Sequence, residues 1–316
     1  MSVAGTASLS AARTWREAVS PRTGAHIAVV AALLLAVYWT PIRVILVARW
    51  ISDANWSHGW LIPGFSLYFL YVQREALKRV VPRPSYLGAL LLAIALAGNF
   101  LFAWVYIFGY LQAVTIVGAI VGVVLLLGGW PVLRLVWFPI LFLLLAIPLP
   151  QGHYVALTQP LREMASSAGA MLLPMLVPGL HAEAQAVVID YILPNGTTGQ
   201  LNVEEACSGM RLMMAFVTLG LAMAYLGDRP PWQRLVMVGF CIPIAVACNT
   251  VRVTLTGWFT VTGHTELARG TPHQLLGIAM LLLALGLYAL VGYVLSHLWI
   301  DADKTQATPA PVSDRP

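Results

Sequence analysis

The sequence predicts an all-α polytopic membrane protein: about eight transmembrane helices, a re-entrant or interfacial helix, and a short β-hairpin on the outer face. Three observations predict it. Of 316 residues, 59% are hydrophobic and only 10% charged, where a soluble domain carries about 25% charged residues. The apolar residues gather in runs near the roughly 20 residues that cross a bilayer as a helix. Lys and Arg collect in alternate loops rather than evenly along the chain. This composition excludes an intrinsically disordered chain, a nucleic-acid-binding domain and a disulfide scaffold. The formal charge of +5 reads as the Lys/Arg excess that orients a polytopic protein, with no acidic partner needed.

The first 26 residues are rich in Ser, Ala and Thr and carry Arg13, Arg16 and Arg22; they read as a cytoplasmic tail. The run from Ile27 to Val47 is too long for a signal-peptide core of 7–15 residues, so it reads as the first span. Later spans are expected near 59–73, 86–105, 109–128, 135–149, 208–226, 235–256 and 275–298, within a membrane domain covering 27–298. The stretch 155–178 carries Gln159, Pro160, Arg162, Glu163, Ser166 and Ser167. Charge inside a span is costly, which favours a re-entrant or surface-lying helix there. Residues 183–206 alternate apolar and polar around Asn195-Gly196, the signature of a β-hairpin. An open hairpin is not tolerated in lipid, so it belongs at one face. Residues 299–316 read as a disordered cytoplasmic tail, its end rich in Pro and Asp.

Orientation follows from the basic loops. Arg74, Lys78, Arg79 and Arg83, then Arg134, then Arg229 and Arg234, form one set with both termini, and the positive-inside rule places that set in the cytoplasm. Eight spans return the C-terminus to that side, whereas a ninth at 155–178 would not. The hairpin then lies outside.

Three cysteines are present. Cys241 and Cys248 are seven residues apart on one helix, about 10 Å by rise, too far to bridge; they read as small core residues. Cys207 opens the sixth span at the outer surface, in Glu204-Glu205-Ala206-Cys207-Ser208-Gly209-Met210-Arg211. A helix N-terminus favours thiolate, and Arg211 lies one turn on. A thiolate nucleophile needs a proton donor and a group that holds the oxyanion. His58, His153, His181, His264 and His273 all map outside. Two have defined settings: His273 in a Thr271-Pro272-His273-Gln274 capping box, and His58 in Ser57-His58-Gly59 at the mouth of the second span. Arg252 sits near the outer end of the seventh span, on one helical face with Asn249 and Thr256. It is either an oxyanion-binding guanidinium or a cation snorkelling to the surface. Zincin, Gly-x-Ser-x-Gly, P-loop and Gly-x-Gly-x-x-Gly motifs are absent from the sequence. Asp301 and Asp303 read as solvated charge in the tail.

Four segments together resemble the exosortase/archaeosortase family of membrane cysteine enzymes. Glu205-Ala-Cys207-Ser208-Gly-Met-Arg211 resembles its nucleophile motif and Asn249-Thr-Val-Arg252-Val its arginine motif. His273-Gln-Leu-Leu-Gly277 resembles its histidine motif, and Trp56-Ser-His58-Gly-Trp-Leu-Ile-Pro63, followed by Arg74, its N-terminal segment. They span about 50–280 in the family's order. The resemblance implies a cysteine peptidase or transpeptidase in the bacterial inner membrane, its active site facing the periplasm. Cys207 would be the nucleophile, His273 the general acid and base, and Arg252 the oxyanion or backbone ligand. Glu205, Ser208, Arg211, Asn249 and His58 would support substrate binding. It implies no cofactor and no metal. Substrates would be secreted proteins whose C-terminal tail carries a short motif, an apolar helix and a basic end (PEP-CTERM type), in a system linked to protein sorting and exopolysaccharide export. The acceptor would be water, or an amine on a surface polysaccharide or lipid-linked group, and membrane lipid is the surrounding partner. Small residues favour helix packing in lipid, so Gly118, Gly122 and the Gly-rich last span are expected to receive the substrate helix. The competing readings are a transporter or polysaccharide-export subunit, and a membrane acyltransferase.

Overall fold

The computed structural model describes residues 21–105, 108–202, 209–227, 229–268 and 270–298, which form two units, 1–151 and 152–316. The N- and C-terminal tails read above lie outside the described residues, apart from positions 21–26. Among the described residues, five helices are long and apolar enough to cross a membrane, or six with one bent pair counted. Of the other expected spans, 59–73 forms a 12-residue helix and 208–226 an 18-residue helix that is not among the five.

In the first unit, α1 (Pro21–Val37) and the helical stretch α2 (Trp39–Ser52) meet at a 65° bend, so the expected first span is broken rather than straight. Pro41 explains part of this, because it has no N–H to give to the carbonyl four residues back. Tyr38, at the bend, donates its hydroxyl to the carbonyls of Ala95 and Thr115, 3.2 Å from each. The segment Ile42–Val47 is wound as a π-helix. A short 3-10 helix, Ala54–Trp60, leads into α3 (Leu61–Val72) and the basic α4 (Arg74–Arg79). In α4, Glu75 accepts from Lys78 at 2.7 Å.

Helices α5 (Tyr86–Trp104) and α6 (Gly109–Leu127) form an antiparallel hairpin. Its close approach comes from glycine: a Cβ on Gly122 would lie 2.7 Å from the Leu92 nitrogen, and one on Gly88 would strike Leu126 backbone. Gly118 faces the Ala95 methyl. Gly118 and Gly122 therefore pack against the chain's own α5, which corrects the expectation that they receive a substrate helix. Gln112 donates to Asn99 across the same pair at 3.1 Å, a polar clasp of the kind that joins helices in lipid. After Gly129, whose φ of +71° lets the chain turn against the Arg83 carbonyl, α7 (Gly129–Phe142) continues as a 3-10 turn to Ala146. Ser66 of α3 donates to the Pro139 carbonyl of α7 at 2.7 Å, beside the edge-on rings of Phe69, Phe138 and Phe142.

The second unit begins with α8 (Gln151–Leu176), unbroken over 26 residues. Its buried side is partly polar and its exposed side partly apolar. Thr158, Arg162 and Ser166 are buried, while Met171 and Met175 are 74% and 78% exposed. Gln151, His153 and Ser167 are exposed as well, and this helix is not among the five long and apolar enough to cross a membrane. Strands β1 (His181–Gln185), β2 (Val188–Ile192) and β3 (Thr198–Asn202) form one antiparallel sheet. The expected hairpin is its β2–β3 half, closed by Gly196 at φ +83°. Strand β1 was not expected as a partner. The sheet's Ile189 and Leu201 join Ala165, Leu173, Val253 and Val261 in one core cluster.

Four helices complete the unit: α9 (Gly209–Leu226), α10 (Pro231–Gly239), α11 (Cys241–Val261) and α12 (Gly270–Leu298). Phe216, Cys241, Ile244, Cys248, Ala284 and Tyr288 make a shared core between α9, α11 and α12. Cys241 and Cys248 are buried free thiols, as the sequence suggested.

Candidate functional site

Two layers of contact fix the direction of each helix in the second unit. At the first, Gly220 faces the Cys241 Sγ and the Tyr288 hydroxyl, and Tyr288 donates to the Phe216 carbonyl at 3.0 Å. At the second, Ala224, Met237 and Leu295 cluster, and Gln233 donates to the Leu295 carbonyl at 3.2 Å. Helices α9 and α12 therefore run one way, and α10 and α11 run against them. The N-terminal ends of α9 and α12 consequently meet the C-terminal half of α11. Counting from the first layer at about 1.5 Å per residue, Arg252 and Gly209 both rise about 16 Å and His273 about 22 Å.

Arg252 is 1% exposed. A snorkelling arginine would carry its guanidinium to the surface, so that alternative is excluded. Asn249, Thr250, Thr254 and Thr256 of the same helix are buried around it. This is a polar belt inside a span, a feature that is costly in lipid and so marks function more often than structure. The sheet covers the same end: a Cβ on Gly257 would touch Leu173 of α8 and Leu201 of β3, each at 3.1 Å.

Sequence reasoning missed the polar face of α8. Gly169 of α8 sits against Val253 of α11, and Leu173 against Gly257, so the two helices run in the same sense. Thr158, Arg162 and Ser166 lie lower on the helix, buried; Arg162 donates to the Thr158 hydroxyl at 3.4 Å. The signal was present as i, i+4, i+8 spacing, which puts all three on one helical face.

The other expected site residues divide as follows. Glu205, Cys207 and Ser208 lie outside the described residues, between Asn202 at the end of β3 and Gly209 at the start of α9. Arg211 and His273 are placed by backbone alone, in the first turns of α9 and α12. Asn249 is buried three residues before Arg252. His58 belongs to the first unit. Its imidazole is 7% exposed, beside Trp56, and burial pushes its pKa below the ordinary value, with the backbone of Asn55 and Leu145 acting partly against it. The adjoining Gly59 is required by packing, because its missing Cβ is where the Trp50 indole lies. That indole donates to the Ala146 carbonyl at 2.8 Å. His153, His181 and His264 are exposed.

The sequence model of the transmembrane exosortase family (Exosortase_EpsH) matches residues 50–290. The chain belongs to that family. No curated protein and no solved structure matches it. Family membership and the apolar helices together make it a multi-pass exosortase-family membrane protein. The matched region takes in all four motif segments read from the sequence and excludes both tails.

Proposed function

We propose that this exosortase-family protein is a cysteine peptidase or transpeptidase that cleaves the C-terminal sorting signal of secreted proteins. The observation that carries the reading is the convergence of three helix regions at one end of one bundle: the start of α9 just after Cys207, the buried Arg252 of α11, and the start of α12 at His273. The positive-inside rule places that end on the periplasmic face of the bacterial inner membrane. In this reading the chain has eight spans, α8 is the re-entrant or interfacial helix, and 1–26 and 299–316 are cytoplasmic tails flanking a membrane domain at 27–298.

In the proposed reaction the Cys207 thiolate attacks the scissile carbonyl carbon, and a C–S bond forms. The oxyanion is held by Arg252, a cation that stays charged at any working pH. The C–N bond then breaks as the protonated His273 gives its proton to the leaving amine, which yields a thioester. Water or an acceptor amine attacks the thioester carbonyl, neutral His273 takes the proton, and the thiolate leaves. Glu205, Ser208, Arg211 and Asn249 would hold the substrate backbone. The substrate's apolar helix would pack on lipid-facing surface such as that at Gly286, where no other atom approaches the position of a Cβ.

The test is co-expression of Cys207→Ala with a secreted protein bearing a motif, apolar helix and basic tail. Loss of tail processing with normal membrane accumulation is expected. Processing at the wild-type rate would remove the thiol from the mechanism.

A further inference from the structure

The first unit contains a cavity of about 410 Å³ lined by Arg49, Asp53, Trp56, Phe108 and Tyr110, with Pro148–Gln151 at its rim. It opens where α2 ends, α5 and α6 meet, and the 3-10 turn after α7 finishes. This is the end of the unit opposite Arg83 and α4, hence opposite the basic loops. Exposed Trp60, Trp104 and Phe108 ring this end, as aromatic residues do at a membrane–water boundary. Arg49 is an exposed cation four residues before Asp53. Asp53 accepts from the Asn55 N–H at 3.0 Å through one carboxylate oxygen. Among the described residues the two close no ion pair with each other, although they line the same space.

Two opposite charges, Arg49 in the last turn of α2 and Asp53 just beyond its end, line one cavity at the headgroup level and suit a guest that carries both signs. We propose that this cavity binds the headgroup of a zwitterionic phospholipid with a primary amine, phosphatidylethanolamine. Its phosphate meets the forked guanidinium of Arg49. Its ammonium donates to Asp53 and lies near the Trp56 and Tyr110 rings, where a cation is favoured. Apolar Val44 and Ile45 line the same space and continue onto lipid-facing surface for the acyl chains. A soluble phosphoamine would share the headgroup chemistry, but the apolar wall and the aromatic ring at this end favour the lipid. The site is independent of the cysteine chemistry proposed above.

The experiment is native mass spectrometry of the full chain incubated with equal amounts of phosphatidylethanolamine, phosphatidylglycerol and phosphatidylcholine of matched acyl chains. Wild type should retain phosphatidylethanolamine roughly tenfold over the other two, the factor expected for one charge-assisted hydrogen bond. Phosphatidylglycerol lacks the cation, and the choline group has no N–H to donate. Arg49→Gln should lose retention of all three lipids, and Arg49→Lys should keep it. Asp53→Asn should erase the preference while still binding phosphate. Arg79→Gln, at the basic end, should behave as wild type. Equal retention of the three lipids by wild type would overturn the proposal. So would a preference that survives both Arg49→Gln and Asp53→Asn, or displacement of the lipid by soluble glycerophosphoethanolamine or by a tail peptide.

Discussion

One of the two contact layers that align α9, α11 and α12 closes around Gly220, and Gly220→Ala tests it. A Cβ there would sit 2.4 Å from the Cys241 Sγ and 2.5 Å from the Tyr288 hydroxyl, well inside the 3.5–4 Å at which carbon contacts become favourable. The Cys241 and Tyr288 side chains, or the helices that carry them, must shift to admit one methyl group. Overpacking of this kind costs about 1–3 kcal/mol, and losing the Tyr288–Phe216 hydrogen bond adds about 1 kcal/mol. Against this stands the helix-propensity gain of Ala over Gly, at most about 1 kcal/mol. A net destabilisation of about 1–3 kcal/mol is expected. Thermal unfolding of the purified chain in detergent reads it as a lowered Tm, and the co-expression assay reads it as slower tail processing. Cys241→Ala makes room on one side, so Gly220→Ala/Cys241→Ala should recover part of both losses, a coupling that a double-mutant cycle measures. A Gly220→Ala chain as stable and active as wild type would refute the packing argument at this layer.

Two further outcomes follow from the structure. Because burial lowers the pKa of His58, the unfolded chain takes up a proton below about pH 6.5 that the folded chain refuses. The stability contributed by this group is thus present above that value and is lost as pH falls through the folded pKa. Between pH 7.5 and 5, Tm should fall more for wild type than for His58→Gln, and equal falls would contradict the assignment. At the β1–β2 turn, Ala186 holds a φ of +53°, a conformation that costs a non-glycine residue about 1–2 kcal/mol. Ala186→Gly should leave stability unchanged or raise it by up to about 1 kcal/mol, with slower amide exchange in β1; a lowered Tm would count against it.

The same turn shows where the sequence was opaque. The β2–β3 turn carries Asn195-Gly196, the residues that tolerate positive φ, and was found. The β1–β2 turn places alanine where glycine is the usual choice, so no local signal announced β1. Helices α5, α6 and α12 were legible because their apolar runs are uninterrupted. The break at Tyr38 was not, because the same run continues through a bend set by Pro41 and by hydrogen bonds to α5 and α6. Arg252 stood out as a lone cation in an apolar span, and the structure adds that its side chain is enclosed. Arg162 stands out in the sequence by its charge, and the structure adds that its side chain is buried. Hydropathy reports that a helix is mixed, whereas lipid outside and protein inside decide which face is which.

The central claim is that Cys207 forms a thioester with the substrate. Intact-mass spectrometry of the purified chain, incubated with a tailed substrate and quenched in acid, measures this directly. A Cys207 adduct is expected, equal in mass to the substrate up to the scissile bond. It should be released by hydroxylamine and absent from Cys207→Ala. Processing that proceeds with no adduct at any time, or an adduct that persists in Cys207→Ala, would contradict the account.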